Sequence, residues 1–224
     1  MDTKSNREDN IMNGCTVAFD LETIANREII PLLPDLKPKA NLKDEVKIFE
    51  DLENKKKKRL EELGLDSHTN TICCASFMDV DSEERLTLSL DEYGNEKDLL
   101  VEIWKHFAKF QLFVSFNGKS FDVEVLKFHS MMNNVPPSVD ISQGRYDRSS
   151  NHVDVRMVLG NNNQYAKGSQ DFYTRMILGE KRTQNGAMVQ GWWDKGQYKT
   201  IRDYCEQDVS DLVRIYKRLE GYYI

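Results

Sequence analysis

A mixed α/β sheet flanked by helices is the fold class this sequence predicts, and three observations predict it. Strand-length segments rich in apolar residues recur at 15–20, 71–78 and 112–118, the second a continuous apolar run. The segment "RLTLSL" (85–90) alternates with period two, which puts Leu86, Leu88 and Leu90 on one face. Between and after these runs, apolar residues repeat every three or four positions, the period of a helix buried along one side. The order is one strand, a hairpin, strand–helix units and terminal helices, which implies a sheet of five or six strands in one domain. A chain of 224 residues suffices for one such domain. Residues 14–224 are read as that domain and 1–13 as a polar, disordered tail.

Residues 15–20 form the first strand. "REIIPLLPDLKPKAN" follows, and its three prolines (Pro31, Pro34, Pro38) forbid a regular helix and predict an irregular excursion. "NLKDEVKIFEDLENKKKKRLEELG" predicts a helix over 42–63, with Leu42, Val46, Phe49, Leu52, Leu60 and Leu63 near one face and Gly64 as its C-cap. "TICCASFM" (71–78) and 85–90 pair as a hairpin across polar "DVDSEE". "EKDLLVEIWKHFAKF" is amphipathic, with Leu99, Ile103, Phe107 and Phe110 on one stripe. "LFVSFNG" is a buried strand ending in a turn, "FDVEVLKFHSMMNNV" a helix stopped by Pro136 and Pro137, and "HVDV" a short edge strand. "QDFYTRMIL" and "AMVQGWW" predict short helices, and the adjacent Trp192 and Trp193 cannot share one helical face. The last helix is "QYKTIRDYCEQDVSDLVRIYKRL".

A formal charge of -6 argues against a surface that coats nucleic acid broadly, so any nucleic-acid site must be local. Cys15, Cys73, Cys74 and Cys205 form no CxxC pair, and His68, His106, His129 and His152 have no zinc spacing. The cysteines read as reduced core thiols. No signal-peptide core and no run of about 20 apolar residues is present, and the expected location is the cytoplasm.

Acids supply the unusual signal. In "VAFDLETIA", a buried strand ends in Asp20 and Glu22, which alternation points to one face while Leu21 points to the other. Either the strand has ended and both are solvated, or something neutralises them. In "FNGKSFDVEVL", Asp122 enters the first turn of a helix after an Asn117-Gly118 turn, where it serves the helix dipole or lines a crevice at the strand ends. In the last helix, Ile201, Tyr204, Cys205, Asp208, Leu212, Ile215, Tyr216 and Leu219 fall on one stripe. Asp208 therefore lies within an apolar face or at its wet edge.

Taken together, "FDLET", "NGKSFD" and "YCEQD" resemble the three motifs of the DEDD superfamily of 3'→5' exonucleases, in the tyrosine (DEDDy) form. The nearest likeness is to stand-alone exonucleases related to the proofreading domain of family B DNA polymerases, over residues 15 to 219. The resemblance implies a ribonuclease H-like fold with Asp20, Glu22, Asp122 and Asp208 holding two Mg²⁺ or Mn²⁺ ions. It also implies that Tyr204 orients the attacking water rather than taking its proton, since a phenol of pKa about 10 is a poor base. It further implies a single-stranded 3' end, DNA before RNA, as partner, release of nucleoside 5'-monophosphates in a proofreading-like or DNA-repair setting, and no attached polymerase domain. Asn117, Phe121, Leu21 and Thr23 are the implied substrate contacts. Asn117 equally suits a turn role and Phe121 a core role. The Lys55–Arg59 run and Arg145, Tyr146 and Arg148 are candidate backbone contacts, and for the run a solvated helix face is the competing reading. An RNA-trimming enzyme of the same superfamily and a catalytically silent binding module are the alternatives.

Overall fold

The computed structural model describes residues 16–144, 150–163 and 168–224. Among them a five-stranded mixed sheet runs in the order β3-β2-β1-β4-β5. β1 (Thr16–Ala25) is central. It pairs antiparallel with β2 (Asn70–Asp79), which pairs antiparallel with β3 (Arg85–Ser89). On its other side β1 runs parallel to β4 (Leu112–Ser115), and β4 runs parallel to β5 (His152–Asp154), the expected edge strand. The helices are α1 (Glu45–Leu65), α2 (Leu90–Tyr93), α3 (Glu96–Phe107), α4 (Asp122–Asn133), α5 (Val155–Leu159), α6 (Gln170–Tyr173), α7 (Val189–Asp194) and α8 (Tyr198–Leu219). α6 continues into a wider turn at Thr174–Leu178, and short 3₁₀ turns occupy Arg27–Leu32 and Gly186–Met188.

Alternation on β1 divides the core. Val17, Phe19 and Leu21 face α3 and α4, where Phe107 packs edge-on to Phe19, Phe77 and Phe113 at ring separations of 5.0, 5.1 and 5.4 Å. Ala18 faces α8 on the other side, against Val209, Leu212 and Val213. Farther along that same side, Ile24, Cys73, Cys74, Ile201, Tyr204 and Cys205 pack together. The β1–β2 register slips between Glu22 and Thr23, so β2 carries one extra residue there. This bulge is why the neighbours Cys73 and Cys74 share a cluster instead of facing opposite ways. Both are buried thiols, as is Cys205.

The helix expected over 42–63 needs correcting. It begins at Glu45, capped by the Asp44 side chain on the Lys47 amide, and Leu42 lies outside it. Val46 and Phe49 are 66% and 65% exposed, so the six-residue stripe is not a buried face. The helix reaches the sheet only near its C-terminal end. Its middle covers the proline-rich segment instead, with Leu52 and Leu60 lining a groove against Ile30, Pro31, Leu33 and Leu36. Gly64 is not the cap but lies inside the helix. A Cβ there would stand 3.4 Å from the Ala25 amide nitrogen, so glycine lets the helix backbone approach β1. Thr23 Oγ1 uses that proximity to donate to the Gly64 carbonyl at 2.7 Å. The basic run on this helix makes contacts of its own. Lys55 Nζ and Arg59 Nη2 donate to the Lys37 and Pro34 carbonyls at 2.7 Å each, and Lys56, Lys57 and Lys58 pair with Glu53, Glu61 and Glu62. α4 likewise stops at Asn134, which adopts a left-handed φ of 53°, before the prolines are reached.

Phe107 of α3 packs against Phe19 of β1, Phe77 of β2 and Phe113 of β4, with 0% exposure. Phe107→Ala should lower the stability by about 3–5 kcal/mol, read as a shift of the urea midpoint at an unchanged slope. A loss under about 1 kcal/mol would show that this cluster is not the core.

Candidate active site

The site begins where β4 stops. β4 pairs with β1 only at Thr16, Val17 and Ala18, so beyond Ala18 this edge of β1 has no strand beside it. Asp20 and Glu22 follow immediately, on the α8 face. The Leu21 amide, pointing off the open edge, donates to Asp122 Oδ1 at 3.1 Å. The first turn of α4 thereby delivers its carboxylate to the middle of the acid pair. The intervening turn is held from β5. Asp154 Oδ1 accepts from the Asn117 amide at 2.9 Å and its Oδ2 from the Lys119 amide at 3.1 Å, while Asn117 takes a left-handed φ of 68°. Gly118 allows no substituent here, because a Cβ would lie 2.2 Å from Ser115 Oγ and 3.4 Å from Asp122 Oδ2.

α8 supplies the opposite wall. Asp208 and Tyr204, one turn apart, are each 8% exposed, and the phenol hydrogen-bonds the Asp208 carboxylate. The Tyr204 ring packs 5.6 Å from Trp192, and the Arg182 guanidinium lies 5.9 Å from its centre. Arg182 donates through Nη1 to Asp208 Oδ1 and through Nε to Asp211 Oδ2 at 2.9 Å. Asp211 is 1% exposed and also accepts from Gln207 at 2.9 Å. Gln170 closes the third side by donating to the Asp208 carbonyl at 2.6 Å.

These elements bound an open cleft of about 590 Å³, lined by Asp20, Leu21, Glu22, Phe116, Asn117, Arg156, Gly168, Ser169, Gln170, Tyr204 and Asp208. The sequence-derived candidates divide around it. Asp20, Glu22, Asn117, Tyr204 and Asp208 line the cleft, and Asp122 is buried just behind it. Leu21 lines it too, though its side chain belongs to the α3–α4 core. Phe121 packs against that same core, and Thr23 is spent on α1; neither lines the cleft. Arg145, Tyr146 and Arg148 lie outside the described residues. The sequence did not single out Arg182, Asp211, Asp154 or Arg156. "HVDV" contained the signal for Asp154, an acid at the end of a strand. Arg182 had none, since its partners are 26 and 29 residues away.

Burial dominates the electrostatics. It raises the Asp20 carboxyl well above the ordinary range, helped by the charges of Asp122 and Asp208. Glu22 is raised likewise, by burial and then by Asp20 and Asp208. Burial pushes Asp122 to about 7 and Asp208 to about 6, the latter held down by Arg182 and by the Tyr204 hydrogen bond. Tyr204 itself is raised, by burial and by Asp208, and remains a phenol. Asp20, Glu22 and Cys205 bring an oxygen, an oxygen and a sulfur within 4.8 Å of one another. Burial keeps the Cys205 thiol protonated, so the donors on offer are carboxylate oxygens. A largely buried, all-oxygen set short of positive charge fits a hard divalent cation.

Comparison with known proteins agrees with this geometry. A family described as a predicted 3'-5' exonuclease related to the exonuclease domain of PolB matches residues 65–222, which include Asp122, Tyr204 and Asp208. Asp20 and Glu22 precede the matched stretch and join it through the sheet. The fold is similar to the family B DNA polymerase from the hyperthermophilic archaeon Pyrobaculum calidifontis, with a TM-score of 0.61 and 16% identity. The alignment covers 92% of this chain and 24% of that one, so the chain spans about a quarter of the polymerase. No curated protein matches the chain.

Two measurements follow from the charge balance. Raised carboxyls bind protons that the unfolded chain has released, so this stability is complete below the ordinary carboxylate range and fades as pH rises through about 6 and about 7. The melting temperature of metal-free protein should therefore fall from about pH 5 to about pH 8, and millimolar Mg²⁺ or Mn²⁺ should flatten the fall. A melting temperature that rises over this window, or ignores both metals, contradicts the charge balance. Arg182→Met leaves Asp208 and Asp211 buried without their cation and should cost about 3–5 kcal/mol at pH 8 in chemical denaturation. Lys199→Met, which breaks the exposed pair with Asp203, serves as the near-neutral control.

Proposed function

This chain belongs to the family of predicted 3'-5' exonucleases related to the exonuclease domain of PolB, and we propose on that premise that it removes nucleotides one at a time from the 3' end of single-stranded DNA. The observation that carries the reading is the convergence of Asp20, Glu22, Asp122 and Asp208 from three distant segments on one cleft with a single buried tyrosine. Such a set is costly to bury unless a bound cation offsets it.

Asp20, Glu22, Asp122 and Asp208 would hold two Mg²⁺ or Mn²⁺ ions, which supply a lowered pKa for the attacking water and charge neutralisation at the departing oxygen. Tyr204 keeps its proton, because burial and Asp208 disfavour the phenolate. Its hydroxyl therefore positions the water by hydrogen bonding and does not deprotonate it. The Asp208 hydrogen bond and the Trp192 contact hold the ring in that orientation. Water adds to phosphorus, the bond from phosphorus to the 3' oxygen breaks, and the water's proton balances the charge on that oxygen. The products are a nucleoside 5'-monophosphate and a strand one nucleotide shorter with a free 3' hydroxyl. Among the described residues no helix is long and apolar enough to cross a membrane, and we place the enzyme in the cytoplasm, trimming 3' ends in a repair or proofreading-like role.

Purified protein with 5'-labelled single-stranded DNA and RNA of equal sequence, plus Mg²⁺ or Mn²⁺, should give a ladder shortening from the 3' end, faster on DNA. Asp20→Asn and Asp208→Asn should each lower the rate by about two to three orders of magnitude. Tyr204→Phe should lower kcat with little change in KM. A faster ladder on RNA would reassign the substrate, and binding without cleavage of either polymer would reduce the protein to a binding module.

A further inference from the structure

We propose that Arg156, braced by Asn117, is the residue that grips the strand's phosphate immediately upstream of the bond to be cut. The inference rests on the nuclease reading above and adds to it a substrate-positioning residue. Asp20, Glu22 and Asp208 make the cleft a repulsive place for a polyanion, and Arg156 is the cation among its described lining residues. Ions held by the carboxylates would neutralise one phosphate only. A strand long enough to present a second phosphate needs a second positive contact, and the cleft has one on the wall built by the β4 turn and α5.

The guanidinium is well suited to that role. Arg156 Nη1 donates to Asn117 Oδ1 at 2.6 Å, which fixes the plane of the fork. Asn117 is fixed in turn, since its amide is held by Asp154 and its φ is 68°. Asp154 ends β5 and caps α5 by accepting from the Met157 amide, so the element that anchors the turn also carries the arginine. Turn and cation therefore form one hydrogen-bonded unit facing the acids. Other cations near the cleft bond their own neighbours. Arg182 is committed to Asp208 and Asp211, and Lys119 Nζ reaches Ser150 at 3.0 Å and the Gly144 carbonyl at 3.1 Å. A guanidinium held in one plane suits the paired oxygens of a phosphate better than an ammonium does.

The test compares wild type with Arg156→Ala and Arg156→Lys. Steady-state cleavage is measured on a dinucleoside monophosphate, a trinucleotide and a longer oligodeoxynucleotide. Equilibrium binding of the longer strand is measured by fluorescence anisotropy in Ca²⁺ across a salt series, with melting temperatures alongside. The dinucleoside monophosphate has only the scissile phosphate, so wild type should show a lower KM once a second phosphate is present. Arg156→Ala should lose that gain, raising KM on the trinucleotide and longer strand by about tenfold or more while kcat shifts less than threefold. Its salt slope should drop by about one phosphate contact. Arg156→Lys should recover the slope but only part of the affinity. Unchanged length dependence and slope in Arg156→Ala would overturn the proposal. So would a joint fall of kcat and melting temperature, the mark of a merely structural arginine. If wild type cleaves nothing yet binds with an Arg156-dependent slope, the nuclease reading fails and the phosphate contact stands.

Discussion

The Leu21 amide donates to Asp122 because β4 has already ended and left that amide without a strand partner. A buried amide must be satisfied by something. Here the partner is a carboxylate, and its arrival turns an interrupted sheet edge into a charged site. If β4 ran three residues farther, the Leu21 amide would bond a neighbouring strand. Asp122 would lose its anchor, and the cleft beside Asp20 and Glu22 would be filled by backbone. The short strand, the Asn117-Gly118 turn and the acid at the start of α4 are parts of one solution. Gly118 belongs to it as well, since Ser115 Oγ accepts its amide at 3.1 Å and leaves no space for a side chain.

Burying several carboxylates in one place requires compensation, and the protein divides the task. Arg182 serves the α8 side, spanning Asp208 and Asp211, and with its help Asp208 is raised less than Asp122. On the β1 side, the charged neighbours of Asp20 and Glu22 among the described residues are each other, Asp122 and Asp208, all acids, with the Cys205 thiol protonated beside them. The asymmetry leaves the unmet demand for positive charge at the end of β1. That is where a hard cation gains most, and where it would relieve repulsion that the fold cannot relieve by itself.

How much of this was legible in the sequence depended on whether the signal was local. Strand alternation placed Asp20 and Glu22 together and Leu21 away, and helical periodicity put Tyr204 and Asp208 on one buried face, because both periods are fixed by backbone geometry. The stripe on α1 failed for a complementary reason. Periodicity records that one face is apolar, not what will cover it, and the cover there is partial: a proline-rich segment reaches Leu52 and Leu60 but leaves Val46 and Phe49 open. Gly64 was misread because close approach to β1 and termination of a helix favour the same residue. Arg182 and Arg156 were beyond reach, since an arginine's partner is chosen by tertiary contacts across 26 and 39 residues.

The distribution of positive charge explains how an acidic chain can act on a polyanion. With a formal charge of -6, the molecule has no general attraction for nucleic acid. Much of its basic side-chain complement is engaged internally: Lys55 and Arg59 fasten the proline-rich segment, Arg202 pairs with Asp91, Arg214 with Glu180 and Lys217 with Glu83. On the proposed reading, favourable contact among the described residues centres on the cleft, where ions drawn by the acids and a braced guanidinium would coincide. Such a protein discriminates by geometry at the chain end more than by avidity for the polymer, and its hold on substrate should be weak wherever a 3' terminus is not presented.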